Sequence, residues 1–185
     1  RKSSWVNTGD FLERRVYARR DRRGGHVSRR CIPGRKQVTI TRQPAPDVLH
    51  LTYGLGRLVG FFLAEGHTSK WTTYWSFNRR ETDTFVAEVV RLLKEECGAD
   101  AHVSQRGNSV AQVALHGKDW APLFESWCNR LSNGKTLHAA MTEGPVEFLE
   151  GVLTAWMDGD RHKGDSAVTV SRQLALNMFD IANFL

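Results

Sequence analysis

Leu-Val-Gly-Phe-Phe-Leu-Ala-Glu-Gly, residues 58–66, and Leu-Thr-Ala-Trp-Met-Asp-Gly-Asp-Arg, residues 153–161, decide how this sequence is read. Each has a small residue at its third and seventh places: Gly60 and Ala64 in one, Ala155 and Gly159 in the other. Four residues apart on a helix, such residues share one stripe. A small stripe lets two helix backbones approach closely. Each stretch then ends in an acid on or beside the stripe, Glu65 and Asp160. Packed side by side and parallel, the helices would bring these acids together at one end. Two close carboxylates repel, and helix C-termini add partial negative charge. Divalent cations with oxygen ligands, Mg²⁺ first among them, relieve that charge. Metals held by two carboxylates can align an attacking water and stabilise the leaving oxygen of a phosphodiester. The bland alternative is two ordinary core helices with acids at their exposed ends. One motif alone favours that alternative; two motifs, each followed by a strand and a helix, favour the pair.

Outward from these stretches the sequence predicts an α+β chain. Leu55–Glu65 reads as a buried helix stopped by Gly66. Thr72–Phe77 reads as a strand. Thr82–Cys97 is an amphipathic helix ended by Gly98, with Phe85, Val89, Leu92, Leu93 and Cys97 inward. His102–Arg106 and Val110–Leu115 flank Gly107-Asn108 as a hairpin. Trp120–Leu131 is a helix with Leu131 inward, broken by Asn133-Gly134. Pro145–Asp160 is the second long helix, with Pro145 at its first turn. Ala167–Val170 is a strand, and Ser171 caps a helix running to Leu185. Helix–strand–helix thus occurs twice: Glu65 precedes Asn78 by 13 residues, and Asp160 precedes Ser171 by 11. That is an internal duplication.

The paired stretches resemble the motif of the LAGLIDADG homing endonucleases, with Leu153–Arg161 the closer match in its Asp-Gly-Asp. The resemblance covers about residues 51–185 and points to the single-chain, two-repeat type, found free-standing or inside inteins. It implies αββαββα repeats with the motif helices at a pseudo-twofold interface, and sheets that form a saddle over the major groove of double-stranded DNA. It implies metal-dependent cleavage of both strands, with Glu65 and Asp160 as Mg²⁺ ligands in a monomer. Lys135, in Asn-Gly-Lys before the second motif, resembles the active-site lysine of that family, which could polarise the scissile phosphate or help activate water; the plain alternative is a solvated loop lysine. Three departures stand out. Glu65 replaces the commoner Asp, Arg161 replaces the closing Gly, and the second repeat stops at Leu185. The domains expected are a basic extension or splicing remnant over 1–50, a first repeat over 51–144, and the start of a second over 145–185. The alternative function keeps the fold without catalysis, as a decayed enzyme, a DNA-binding regulator or an RNA splicing helper.

Strand parity gives candidate DNA contacts. Trp75, Phe77, Val103, Val113 and Leu115 suit the core, leaving Lys70, Thr72, Tyr74 and Ser76 on one strand and His102, Ser104, Arg106 and Gln112 on the hairpin facing outward. Arg suits guanine and Gln suits adenine in the major groove; a one-residue slip reverses every assignment.

Charge supports a polyanion partner. The net charge is +6, but residues 1–50 hold 13 Lys and Arg against 4 acids (+9), and residues 51–185 hold 13 against 16 (−3). The basic arm reads as a DNA clamp meeting phosphates or as a solvated tail, and Ser4–Asp10 faintly resembles a late segment of intein splicing domains. Starting at Arg1 and ending inside a helical pattern, the chain reads as a fragment. The apolar run of Leu58–Ala64 is far too short for a membrane span, and no signal peptide opens the chain, so a cytoplasmic protein is expected. Cys31, Cys97 and Cys128 show no metal spacing and fit a reducing compartment. His67, His116, His138 and His162 lack zinc spacing. Gly54, Gly56 and Gly60 follow no strand, which argues against a nucleotide loop.

Overall fold

The computed structural model describes residues 4–11, 43–162 and 166–185. The basic stretch Arg19–Gly25, the expected strand Gln37–Thr41 and Cys31 lie outside them.

The chain is α+β. Its centre is α1 (Tyr53–Glu65) packed on α5 (Val146–Gly159). The glycines dictate how close the two come. A Cβ at Gly56 would run into the Phe148 carbonyl oxygen, and one at Gly151 into the Tyr53 carbonyl oxygen. One at Gly60 would strike the Val152 carbonyl and stand 2.8 Å from the Ala155 Cβ; one at Gly159 would stand 2.6 Å from the Ala64 Cβ. Neighbouring positions climb together along both helices, so they run parallel. The sequence expectation of a small-residue contact through Gly60, Ala64, Ala155 and Gly159 is met.

Arg57 supplies a clasp that the stripe did not suggest. Arg57 is 8 % exposed, and its guanidinium forks onto Glu88 through Nε and Nη2, both at 2.8 Å, while Nη1 reaches Asp158 at 2.7 Å. Burial works against the charge, but the two carboxylates outweigh it and hold the guanidinium above its ordinary pKa. Asp158, the first acid of the Asp-Gly-Asp, thus ties α5 to α1.

After α1 the chain makes a hairpin of β3 (Gly66–Ser69) and β4 (Thr72–Asn78). Then come α2 (Ala87–Cys97), a second hairpin of β5 (His102–Arg106) and β6 (Val110–His116), and α3 (Trp120–Cys128). The order from Tyr53 to Cys128 is helix, two strands, helix, two strands, helix. The strands form one antiparallel sheet ordered β3-β4-β6-β5. Its inner face carries Trp75, Phe77, Val113 and Leu115 onto α1 and α3, with the Trp75 indole N–H donating to the Leu58 carbonyl at 3.3 Å. Phe62, Trp75, Phe124 and Trp127 meet there in edge and tilted contacts.

Several expected boundaries shift. The helix expected over Thr82–Cys97 opens with a π-turn at Thr82–Val86 and is α-helical only from Ala87. That expected over Trp120–Leu131 ends at Cys128, where Asn129 takes φ 61°. Leu131 is therefore 64 % exposed rather than inward. Val103 lies on the inner face but on edge strand β5, beyond the covering helices, and is 42 % exposed. β3 was not read from the residues themselves, although the αββαββα unit implied by the resemblance has two strands between its first helices.

Beyond α3, the short α4 (Ala139–Thr142) leads to α5. The tiny strands β7 (Arg161–His162) and β8 (Ser166–Ala167) pair antiparallel before α6 (Arg172–Phe184). The expected strand Ala167–Val170 is thus reduced to Ser166–Ala167. The Ser171 hydroxyl caps α6 by accepting from the Leu174 amide, as its sequence position suggested. The order helix, hairpin, helix repeats the opening of the first unit.

Part of the N-terminal fifty residues belongs to this body. β1 (Trp5–Asn7) pairs antiparallel with β2 (Val48–His50), which sends Val6 and Leu49 into the core. Phe11 packs edge-on against Trp127 and His138. Among the described residues, no helix is long and apolar enough to cross a membrane.

Candidate active site

α1 and α5 end at the same level, so Glu65 and Asp160 come together as the side-by-side arrangement requires. The helices meet closely there: the Cβ that Gly159 lacks would stand 2.6 Å from the Ala64 Cβ and in ordinary contact, at 3.5 Å, with the Glu65 Cγ. Burial, followed by the charge of Asp160 and that of Glu81, pushes the Glu65 carboxyl up to about 7. Burial also raises Asp160, opposed by the Trp156 indole and by Lys135.

Lys135 is the third member, and it is no solvated loop lysine. It is 3 % exposed. Its Nζ donates to the Phe62 carbonyl and, at 2.7 Å, to the Gly66 carbonyl, and it sits 4.1 Å from the centre of the Phe62 ring. These carbonyls belong to the last turn and cap of α1, where a cation is favoured by the helix dipole. Gly66 ends the helix in extended backbone, φ −91° and ψ 151°, so handedness is not what glycine provides. Room is: a Cβ would collide with the Phe62 ring and its carbonyl oxygen, the acceptor of Lys135. Burial pushes the Lys135 amine down to about 8, against the pull of Asp160 and Glu65. Glu65, Asp160 and Lys135, which the sequence placed in one site, are thus neighbours.

Two carboxylates offer a donor set of hard oxygens. Burial raises the proton affinity of both acids, and at Glu65 the charges of Asp160 and Glu81 add to it; a proton or a hard divalent cation would relieve that. Among the described residues there is no cluster of three or more His, Cys, Asp and Glu side chains suited to a metal, so other oxygen donors would have to complete a shell around this pair. The side chain of Arg161 lies outside the described residues. The backbone passes from α5 through Asp160 (φ −98°, ψ 16°) directly into β7.

The sheet begins where the acids stand, because β3 follows Glu65 directly. Its register puts Thr72, Tyr74, Ser76, Gln112, His102, Ser104 and Arg106 on one outer face, the parity the sequence predicted. Accessibility divides them. His102 and Arg106 are exposed, and Tyr74, Ser76 and Ser104 are half-buried. Thr72 is buried and shares a 3.0 Å hydrogen bond with the His116 Nδ1. Gln112 is only 2 % exposed, and its Nε2 donates to the Ser76 Oγ at 3.0 Å. Arg106 reaches over β6 to 5.8 Å from the Tyr74 ring centre, and the register puts Gln112 at the midpoint of that diagonal. In this arrangement Gln112 is not a free surface group. Lys70 is corrected too: it is not in a strand but in the β3–β4 turn, with φ 54°.

Sequence reading missed His67. It pairs with Tyr74 and stacks on its ring at 5.0 Å, the planes 16° apart. Burial, together with Arg106 and Lys135, lowers its pKa and favours the neutral ring. No pattern pointed to it, because the Gly-His-Thr-Ser of β3 lacks the apolar alternation that marks a strand. The Arg57 clasp was missed as well, although an arginine inside an otherwise apolar helix signals a buried partner.

Compared with the models of known protein families and with curated proteins, the chain matches none.

Proposed function

We propose that this protein is a site-specific, metal-dependent endonuclease acting on double-stranded DNA, with the fold of the LAGLIDADG endonucleases. One observation carries the reading: two parallel, glycine-packed helices deliver Glu65 and Asp160 to a common end beside a buried lysine. Two acids gathered where two helix C-termini meet are costly for stability alone, a cost that the buried lysine beside them only partly offsets. A charge-stabilising reaction centre accounts for that cost.

In this reading Glu65 and Asp160 are the protein ligands of Mg²⁺, which when bound supplies Lewis-acid stabilisation of phosphate charge and a more acidic water. Lys135 has three donors, and among the described residues two are spent on the α1 carbonyls. The third is its means of acting on a phosphate oxygen. The pair Arg57–Asp158 holds α5 in register, and so sets the separation of the two acids. The outer sheet face, with Lys70 at its turn and His102, Ser104, Arg106, Tyr74 and Ser76 across it, is the DNA surface. Thr72 and Gln112 support that face from below.

The test is cleavage of a randomised plasmid library in Mg²⁺, with sequencing of the ends released. The reading expects a defined site. It also expects Glu65→Gln and Asp160→Asn to abolish cleavage while retaining gel-shift binding in Ca²⁺, and Lys135→Met to slow cleavage without loss of binding. DNA binding with no cleavage by the unaltered protein would favour the non-catalytic alternative. Full cleavage by Asp160→Asn would remove the role assigned to that acid.

A further inference from the structure

Lys135 reaches the end of α1 from a segment, residues 135–138, that has no regular structure of its own. Its polar groups must therefore be satisfied from outside. On one side α3 serves: the amides of Thr136 and His138 donate to the carbonyls of Cys128 (3.2 Å) and Trp127 (2.8 Å). On the other side two side chains of α6 do the work. The Ser171 Oγ donates to the Lys135 carbonyl at 2.5 Å. The Asn177 Oδ1 accepts twice, from the Thr136 hydroxyl at 2.9 Å and from the Leu137 amide at 3.1 Å.

These bonds exceed what helix capping needs. An N-cap requires only an acceptor for an amide of the first turn, and the Ser171 Oγ meets that need by accepting from Leu174 at 3.2 Å. Its single proton goes to the lysine segment instead, in a site that is 1 % exposed. Asn177 has no part in the cap. α6 follows the second motif helix as α2 follows the first, so the lysine capping α1 is held from the other half of the duplication.

We propose that Ser171 and Asn177 are positioning residues: through them α6 fixes Lys135 at the carboxylate end of α1 and couples the docking of the second unit to the competence of the site. Competence here rests on the endonuclease reading; the positioning itself does not.

The experiment is trace amine acylation of the whole protein at one alkaline pH, read by mass spectrometry as Lys135 labelling relative to exposed Lys94. The unaltered protein should show Lys135 strongly protected. Asn177→Leu removes both acceptor bonds, and Ser171→Asp keeps the cap acceptor but has no proton for the lysine carbonyl. Each should raise relative labelling by about tenfold, because leaving a buried group unpaired shifts local opening by about that factor. Asn177→Asp and Ser171→Thr keep the bonding groups and should restore protection. Circular dichroism reports whether each variant folds. Should the larger changes unfold the chain, Thr136→Val deletes one bond at nearly constant volume and should still raise labelling. Unchanged labelling in folded Asn177→Leu and Ser171→Asp, or in folded Thr136→Val where those unfold, overturns the proposal. So does equal labelling of Asn177→Leu and Asn177→Asp. On a cleaved DNA site, Asn177→Leu should lower kcat more than it raises KM. A protein that never cleaves DNA would defeat the nuclease reading and leave the labelling result standing by itself.

Discussion

Gly60→Ala probes the α1–α5 contact most cleanly. The added Cβ would drive into the Val152 carbonyl oxygen, stand 2.8 Å from the Ala155 Cβ and lie 3.1 Å from the Trp156 amide nitrogen. Two of these obstacles are backbone and cannot swing aside, so the helices must separate. Overpacking costs about 1–3 kcal/mol, more where backbone must move. Alanine returns about 1 kcal/mol through helix propensity. With the upper end of the first figure, the net loss is about 2 kcal/mol, a fall in Tm of about 4–8 °C for a chain of this size. Gly56→Ala and Gly151→Ala meet the Phe148 and Tyr53 carbonyls and should behave alike. Gly54→Ala meets only the end of the Glu96 side chain and a Leu92 methyl, which can shift, and should stay within about 0.5 kcal/mol of wild type. Thermal and urea unfolding followed by circular dichroism would measure all four. If Gly60→Ala proves more stable by its helix propensity, the close approach of the two backbones is wrong.

Other outcomes follow from the charges. Glu65 is held at about 7 against an ordinary 4.5, so between those values the folded chain binds its proton more tightly than the unfolded chain, and stability falls as pH rises. Glu65→Gln should therefore match wild type near pH ~4 and exceed it by about 1–3 kcal/mol near pH ~8, a range discounted for partial exposure; urea titrations agreeing at both pH values would refute this. Arg57→Met leaves Glu88 and Asp158 without their cation and should cost about 3 kcal/mol. Asp158→Asn leaves the fork to Glu88 in place and should cost about 1 kcal/mol; the reverse ranking in the same assay would dispose of the clasp.

The helix pair was legible because close backbone approach demands small residues at fixed spacing, and Gly60, Ala155 and Gly159 satisfy that demand visibly. The sheet faces were legible because Trp75 and Phe77 fix a period of two. What escaped depends on distant partners. β3 hides because its inward residue, Thr68, is polar and finds Glu125 from α3. Gln112 faces outward by parity, yet it is buried beneath the line from Arg106 to Tyr74. Arg57 meets partners 31 and 101 residues away, which no local pattern encodes. Lys135 could be placed near the acids, but its inward course depends on Gly66 leaving room and on α6 holding its segment.

In the proposed site Glu65 and Asp160 together bind a divalent cation. Electron paramagnetic resonance of free Mn²⁺, titrated with protein at mildly alkaline pH where Glu65 is ionised, tests it most directly. Saturable binding by the unaltered chain, strongly weakened by Glu65→Gln and by Asp160→Asn alike, is the expected result. No binding by the unaltered chain, or binding undiminished in either variant, would contradict the claim.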